Sequence, residues 1–131
     1  MSGLTVLVVD DEQDILDLLE IWLSDDARCG EVLRADNVDD ALALGTSRAP
    51  EVVVLDFFIG KSTSVEILPA LRQACPGAKI IVHTASRQAA EAAGALAAGA
   101  DFVIEKNQYT IDALIERLLD PVESRRSDSA S

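Results

Sequence analysis

The chain has 131 residues, a length that predicts one domain with a sizeable hydrophobic core. Apolar residues make up 49% and charged residues 26% of the sequence, which is typical of a soluble globular protein and not of a disordered one. The 23 acidic and 11 basic residues give a net charge of −12, which argues against binding to nucleic acid or to anionic lipid, because both need clustered Lys and Arg.

Five short apolar segments predict strands along the chain. The first, third and fourth consist almost wholly of Leu and β-branched residues, a composition typical of strands that are covered on both faces of a sheet. In chain order the predicted strands are residues 4–9, 31–35, 52–55, 79–84 and 101–104.

The first two predicted helices follow the first two strands. An apolar stripe at helical spacing should set the first helix against the sheet, with Trp22 in the core. Asp36 or Asn37 can cap the second helix, which must stop before Pro50. The apolar residues that define the two helices are Ile15, Leu18, Leu19 and Trp22 in the first, and Ala41, Leu42 and Leu44 in the second.

The last three predicted helices follow the remaining strands. Ser64 can cap the third helix, and the segment CPG at 75–77 ends it. The fourth, at 87–98, is almost all alanine and has Leu96 as its single large apolar anchor. Residues 120–131 have no periodicity and are predicted to be a disordered tail or a truncated linker. The third and fifth helices are defined by Val65, Leu68 and Leu71, and by Ile111, Leu114, Ile115 and Leu118.

The sequence contains few signs of redox, metal-thiolate or targeting chemistry. Cys29 and Cys75 have no metal-like spacing and are expected to be reduced thiols in a cytoplasmic protein. His83 is the only histidine, and we expect it to be a packed strand residue because no nucleophile accompanies it. The N-terminus lacks the basic region of a signal peptide, and no segment is long enough to span a bilayer.

Five β-α units in series predict an α/β fold, a doubly wound five-stranded parallel sheet with helices on both faces. Ligand sites in such folds lie beyond the carboxyl ends of the strands, so the residues that end each strand should meet at one edge. These residues comprise three acids, one hydroxyl and one ammonium: Asp10, Asp11, Asp56, Thr84 and Lys106.

The adjacent acids Asp10 and Asp11 follow directly after the first buried strand. Crowded carboxylates repel one another, and a hard divalent cation such as Mg²⁺ removes that repulsion. An acidic helix N-terminus that complements the helix dipole explains Glu12 and Asp14, but it explains the first two acids poorly. The sequence therefore predicts a magnesium site at the end of the first strand.

Four strand-end segments together resemble the receiver domain of two-component response regulators. They are VLVVDD at 6–11, VVVLD at 52–56, IIVHTA at 80–85 and GADFVIEK at 99–106. The resemblance covers about residues 4–119 and implies the flavodoxin-like (βα)5 receiver fold over residues 1–119, followed by the tail at 120–131.

The resemblance implies a role for each strand-end residue. Asp56 would accept a phosphoryl group and become an aspartyl phosphate, while Thr84 and Lys106 would contact the phosphoryl oxygens. Asp11, Asp56 and the backbone carbonyl of Phe58 would bind Mg²⁺ directly. Asp10 would bind it largely through water.

The resemblance also implies the partners of the domain. The phosphoryl donor would be a histidine kinase or a phosphotransfer protein, and the output would be a downstream protein or an output domain outside this chain; the resemblance also allows a homodimer. The domain would be no conventional enzyme, although it would catalyse its own Mg²⁺-dependent phosphorylation and dephosphorylation.

The alternative is a pseudo-receiver, an interaction module of the same fold that works without phosphorylation. An aspartate-nucleophile phosphatase would need an acid where Phe58 stands.

Four positions depart from the pattern of many receiver domains. Asn107 stands where a proline often follows the lysine, and Val103 stands at the position of the usual switch aromatic. Strand alternation should direct Phe102 to the opposite face. The loop FFIGKSTS at 57–64 lacks a proline at 60 and a glycine at 64. These departures predict a domain without an aromatic switch.

Overall fold

The computed structural model describes residues 3–84, 89–105 and 116. In chain order its elements are β1 (Leu4–Val9), α1 (Gln13–Ser24), β2 (Cys29–Ala35), α2 (Val38–Arg48), β3 (Val52–Asp56), β4 (Phe58–Ile59), β5 (Ser62–Thr63), α3 (Ser64–Ala74), β6 (Lys79–Thr84), α4 (Ala89–Ala98) and β7 (Phe102–Glu105). The five predicted strands are confirmed to within two residues at each end.

The main sheet has five strands in the order β2-β1-β3-β6-β7, and every neighbouring pair is parallel. The chain first adds a strand on one side of β1 and then continues on the other side, which is the doubly wound arrangement that the sequence predicts. The strand order reverses between β1 and β3, and this switch point is where such sheets form their binding crevice.

Alternate residues of the strands pack into two separate cores. On one face of the sheet, α2, α3 and α4 cover the first set of strand residues, and α1 covers the second set on the other face. The first set is Leu7, Val9, Val53, Leu55, Ile80 and Val82, and the second is Val6, Val8, Val52, Val54 and Ile81. Because both faces of the inner strands are covered, most residues of β1, β3 and β6 are apolar.

The buried face of α1 differs from the predicted stripe. The residues that enter the core are Leu16, Leu19 and Leu23, whereas Leu18 is 41% exposed. Trp22 packs at the margin of this core and is only partly buried. The prediction was wrong for Leu18 because α1 carries apolar residues on more than one side, so that spacing alone does not select the buried face.

The ends of α2 and α3 follow local capping chemistry. Asn37, and not Asp36, caps α2, and its side-chain oxygen accepts a hydrogen bond of 2.8 Å from the Asp40 amide. The helix ends at Arg48, before Pro50, as predicted. Thr63 occupies the N-cap position of α3, and Ser64 is already helical, so the predicted cap was wrong by one residue.

Helix α4 ends at Ala98 as predicted, and residues 87 and 88 of the predicted helix lie outside the described ranges. Its fully buried residue is Ala95, while the predicted anchor Leu96 is 47% exposed. A helix that packs through alanine buries little area per turn. Helix α4 therefore contributes less apolar burial to the fold than α1 or α3.

Several predictions fall on residues that the structure does not describe. Lys106, Asn107 and the tail at 120–131 lie outside the described ranges, as does most of the predicted fifth helix. Glu116 of that helix is helical and pairs with Arg28 at 3.2 Å. Among the described helices, none combines the length and the apolar character that a membrane crossing requires.

The α2 cap gives a direct test of local stability. Asn37→Ala should lower the free energy of unfolding by about 1 kcal/mol, because the Asp40 amide loses its side-chain acceptor. Asp36→Ala is the matched control, since Asp36 precedes the cap and accepts hydrogen bonds from the exposed side chains of Gln13 and Asn37. Chemical denaturation of both variants measures the difference, and an equal loss would contradict the assignment of the cap.

Candidate functional site

Two buried carboxylates lie side by side at the switch point of the sheet. Asp10 directly follows β1 and is 0% exposed, and Asp56 ends β3 and is 7% exposed. Their strands are neighbours in the sheet, with Val9 paired to Leu55. The sequence prediction that these two acids meet is therefore confirmed.

Strand alternation explains why the two acids share one face of the sheet. Asp10 stands in the alternation of Val6 and Val8, and Asp56 stands in that of Val52 and Val54. All four valines belong to the core beneath α1. Because side chains two residues apart point to the same face, the acids continue this apolar row at its carboxyl end. On this face of the sheet, each acid therefore comes directly after the last valine of its strand.

His83 joins the two acids, and sequence reasoning missed this. It is buried in β6, as expected for a packed strand residue, and its backbone is in register with Asp56. Its Nε2 atom lies 3.6 Å from an oxygen of Asp10. One ligand atom from each of Asp10, Asp56 and His83 lies within 4.8 Å of the other two. His83 lies two residues after Ile81 and therefore on the same face of β6. Together with the strand order, this alternation would have predicted the imidazole next to the two acids.

Asp11 occupies a different position from its neighbour. Its side chain is exposed, and one carboxylate oxygen accepts a hydrogen bond of 3.0 Å from the Gly60 amide. Asp10 instead turns inward, and its Oδ1 accepts a hydrogen bond of 2.9 Å from the Glu12 amide. The adjacent acids thus have different roles. Asp10 lies in the buried cluster, and Asp11 connects the end of β1 to the loop after Asp56.

That loop forms a small hairpin that the sequence analysis did not predict. Strands β4 and β5 pair antiparallel, and Gly60 lies in the turn between them with φ of +60°, a conformation that favours glycine. Phe57 is buried, whereas Phe58 is 52% exposed, and their rings contact edge to face at a centroid distance of 4.8 Å. The hairpin therefore exposes an aromatic ring two residues after Asp56.

The remaining predicted site residues are Thr84 and Lys106. Thr84 ends β6 and is 3% exposed, and alternation assigns it to the face of Ile80 and Val82, opposite His83. Its backbone pairs with Glu105, the last residue of β7. Lys106, which follows, lies outside the described ranges. The phosphoryl contacts of Thr84 and Lys106 stay predictions.

The residues at the usual switch position behave as alternation predicts. Val103 packs against the core under α3 and α4, whereas Phe102 packs on the α1 face. The Nζ atom of the buried Lys79 lies 5.9 Å from the centre of the Phe102 ring, within the range of a cation–π contact. Phe102 is therefore a partly buried residue at the margin of the core beneath α1, on the face opposite the predicted switch position.

The donor set of the cluster fits a divalent cation. Buried carboxylates are costly unless an opposite charge or hydrogen bonds compensate them. Oxygen atoms from Asp10 and Asp56 are close enough to share one ion, and hard cations such as Mg²⁺ bind oxygen ligands of this kind. Among the described residues, Asp10, Asp56 and His83 form the group with metal-ligand geometry.

The comparison with known families identifies this arrangement. The family model of the response regulator receiver domain matches residues 6–119. The chain belongs to the response regulator receiver family. The match includes all five strands of the sheet, although it begins within β1, and it contains Asp10, Asp56 and His83.

Individual relatives agree with this assignment. The transcriptional regulatory protein KdpE of Mycobacterium tuberculosis is 33% identical over 126 residues, which cover 96% of this chain and 53% of that protein. The chain spans about half the length of the curated relatives it matches.

Solved structures have the same fold. A CheY-like receiver domain from Methanospirillum hungatei is 24% identical with a TM-score of 0.84, over 97% of this chain and 99% of that one. A Burkholderia pseudomallei response regulator, crystallised with a phosphorylated aspartic acid, calcium ion and citrate, is 24% identical with a TM-score of 0.80, over 98% of this chain and 74% of that one.

The buried acid pair predicts an unusual response to substitution. Asp56→Asn should raise the melting temperature in metal-free buffer by roughly 3–6 °C, because it removes one of two neighbouring buried carboxylates, each of which raises the cost of ionising the other. Added Mg²⁺ should stabilise the wild-type domain and have little effect on this variant. Thermal melting with a chelator and with Mg²⁺ measures both effects.

Asp11→Asn is the matched control for this substitution. Asp11 is exposed, and an asparagine oxygen can still accept the hydrogen bond from Gly60. We therefore expect a smaller rise for Asp11→Asn than for Asp56→Asn without metal. A lower melting temperature for Asp56→Asn in metal-free buffer would show that other groups already compensate the carboxylates.

Proposed function

We propose that this receiver domain accepts a phosphoryl group on Asp56 from the phosphohistidine of a histidine kinase or a phosphotransfer protein. The observation that carries the proposal is the position of Asp56, whose carboxylate ends the central strand β3 next to Asp10 at the switch point. Membership of the receiver family supports the same assignment.

In the proposed reaction, an oxygen of the Asp56 carboxylate attacks the phosphorus of the donor. A P–O bond to Asp56 forms as the P–N bond to the donor imidazole breaks, and the imidazole leaves with the bonding electron pair and takes up a proton. Thr84 and Lys106 would contact the phosphoryl oxygens. Phosphoryl transfer depends mainly on positioning and charge neutralisation, which these groups would supply.

The proposed metal is Mg²⁺, held by Asp10 largely through water and directly by Asp11, Asp56 and the Phe58 carbonyl. Bound Mg²⁺ would neutralise charge that accumulates on the phosphoryl oxygens. The hydrogen bond from the Gly60 amide to Asp11 supports a contribution of the hairpin to the metal site, because it connects the loop that carries Phe58 to the end of β1. The Burkholderia relative with a phosphorylated aspartic acid and calcium ion supports a divalent cation in this fold.

The wider assignment forms part of the same proposal. Residues 1–119 would form the receiver domain and residues 120–131 a disordered tail or linker. The domain would act in the cytoplasm through protein contacts, which allow a homodimer, and its output would be a downstream protein or an output domain outside this chain. KdpE is about twice as long as the chain, which is compatible with an additional output domain.

Phosphorylation can be measured by intact-mass spectrometry after incubation with a small-molecule phosphodonor and Mg²⁺. The wild-type domain should gain one phosphoryl group, and Asp56→Asn should gain none. Omission of Mg²⁺ should abolish the gain. Equal labelling of Asp56→Asn would refute the assignment of the acceptor, and an unlabelled wild-type domain would favour the pseudo-receiver, which works without phosphorylation.

The lifetime of the phosphoryl group gives a separate prediction, based on Phe58. Many receiver domains have a polar side chain two residues after the acceptor, where it can orient the hydrolytic water. The half-exposed Phe58 ring offers no hydrogen bond, so the aspartyl phosphate should persist. Phe58→Asn should accelerate its decay by roughly tenfold to a hundredfold, equivalent to about 1–3 kcal/mol.

A dephosphorylation time course of the labelled domain measures this effect. Phe58→Leu is the matched control, because it removes the ring but adds no polar group. Slow decay in Phe58→Leu with fast decay in Phe58→Asn would assign the effect to water orientation, and fast decay in both would assign it to shielding by the ring. Unchanged or slower decay in Phe58→Asn would contradict the role of Phe58.

A further inference from the structure

His83 adds a nitrogen donor to the two buried acids. It is 2% exposed and lies on β6, the strand between β3 and β7, so the sheet fixes the position of its backbone. Its ring lies on the same face as Asp10 and Asp56, beside the carboxyl ends of β1 and β3. The cluster is therefore one imidazole and two carboxylates from three adjacent strands, and not a set of acids alone.

The distances within the cluster suit a single metal ion. Two ligand atoms at about 2.1 Å from a shared ion stand about 3.0 Å apart in octahedral geometry and about 3.4 Å apart in tetrahedral geometry. The His83 Nε2 atom lies 3.6 Å from its nearest Asp10 oxygen, and the three ligand atoms lie within 4.8 Å of one another. Shifts of less than about 1 Å would bring all three atoms to one ion.

The nitrogen donor changes which metal the site prefers. Mg²⁺ is a hard ion that binds oxygen ligands and keeps several waters, and it gains little from an imidazole. Zn²⁺ and related transition-metal ions bind imidazole nitrogen and carboxylate oxygen together, and three protein ligands with one open position are typical of zinc sites that bind a further ligand.

We infer that the cluster is a transition-metal site for a Zn²⁺-like ion, bound by His83 Nε2 and by one carboxylate oxygen each from Asp10 and Asp56. This inference rests on the proposed use of the acids as a metal site, but not on phosphoryl transfer. Because Asp56 is a ligand of both metals, Zn²⁺ and Mg²⁺ compete for the site. Zn²⁺ bound in this way coordinates a carboxylate oxygen of Asp56, the proposed phosphoryl acceptor.

The single histidine allows a direct spectroscopic test in the wild-type protein. Imidazole nitrogen resonances of the untagged, ¹⁵N-labelled domain are recorded without metal, with Mg²⁺ and with Zn²⁺. Zn²⁺ should change the chemical shift of His83 Nε2 strongly, because the ion coordinates this nitrogen directly. Mg²⁺ should change that chemical shift only slightly, because it does not coordinate the nitrogen. An Nε2 resonance that responds equally to both ions, or to neither, would overturn the inference.

Binding constants from calorimetry provide the second test. His83→Leu should lower the ratio of Zn²⁺ affinity to Mg²⁺ affinity by about a hundredfold, since even a partner of a metal ligand contributes roughly 10–100-fold. An unchanged ratio would overturn the inference. If His83→Leu does not fold, the imidazole spectrum decides alone, because it needs no substitution.

Cys29 provides the control for zinc binding elsewhere. It is partly buried, and burial raises the pKa of its thiol, which disfavours the thiolate that binds zinc. Cys29→Ser should keep the wild-type Zn²⁺ affinity, and a large loss in this variant would place the ion at the thiol and overturn the inference. Failure of the proposed function would instead appear as an unlabelled wild-type domain in Mg²⁺, a result that is independent of every zinc measurement.

Discussion

The close approach of two buried carboxylates, Asp10 and Asp56, is the constraint on which this site depends. At 4.8 Å, the upper limit of the separations in the cluster, two unit charges would repel by about 3.5 kcal/mol when the effective dielectric constant is about 20. The paired strands β1 and β3 fix the positions of Asp10 and Asp56 beside each other. The apolar residues that precede the acids on the same face of the sheet are buried beneath α1 and stabilise this arrangement. The core thus maintains a charge arrangement that a cation can use.

The fold and the acid pair could be predicted because they follow from local pattern. Continuous apolar strands alternating with helices allow few arrangements other than a doubly wound sheet, and carboxyl-end residues of neighbouring strands must then meet. The buried face of α1 could not be predicted in the same way. Leu16 and Leu18 are both apolar, and only packing against the sheet determines that the first is buried and the second exposed.

The part of the site that escaped prediction depends on tertiary structure. His83 has no sequence neighbours that suggest chemistry, and its relation to Asp10 arises only when β6 pairs with β3 and β3 with β1. The β4–β5 hairpin is too short for a periodic pattern, and the hydrogen bond from Gly60 to Asp11 joins residues that are 49 positions apart. Sequence reasoning thus located the acids, while their nitrogen neighbour and their loop required the three-dimensional structure.

The central claim is that the repelling acids hold a cation so that Asp56 can be phosphorylated. Its most direct test is chemical trapping of the acyl phosphate after reaction with a small-molecule phosphodonor. Borohydride reduces an aspartyl phosphate to homoserine, and peptide mass spectrometry locates the product. We expect homoserine at position 56 alone, formed with Mg²⁺ and not without it. Homoserine at another position, or its formation at position 56 without a divalent cation, would contradict the account.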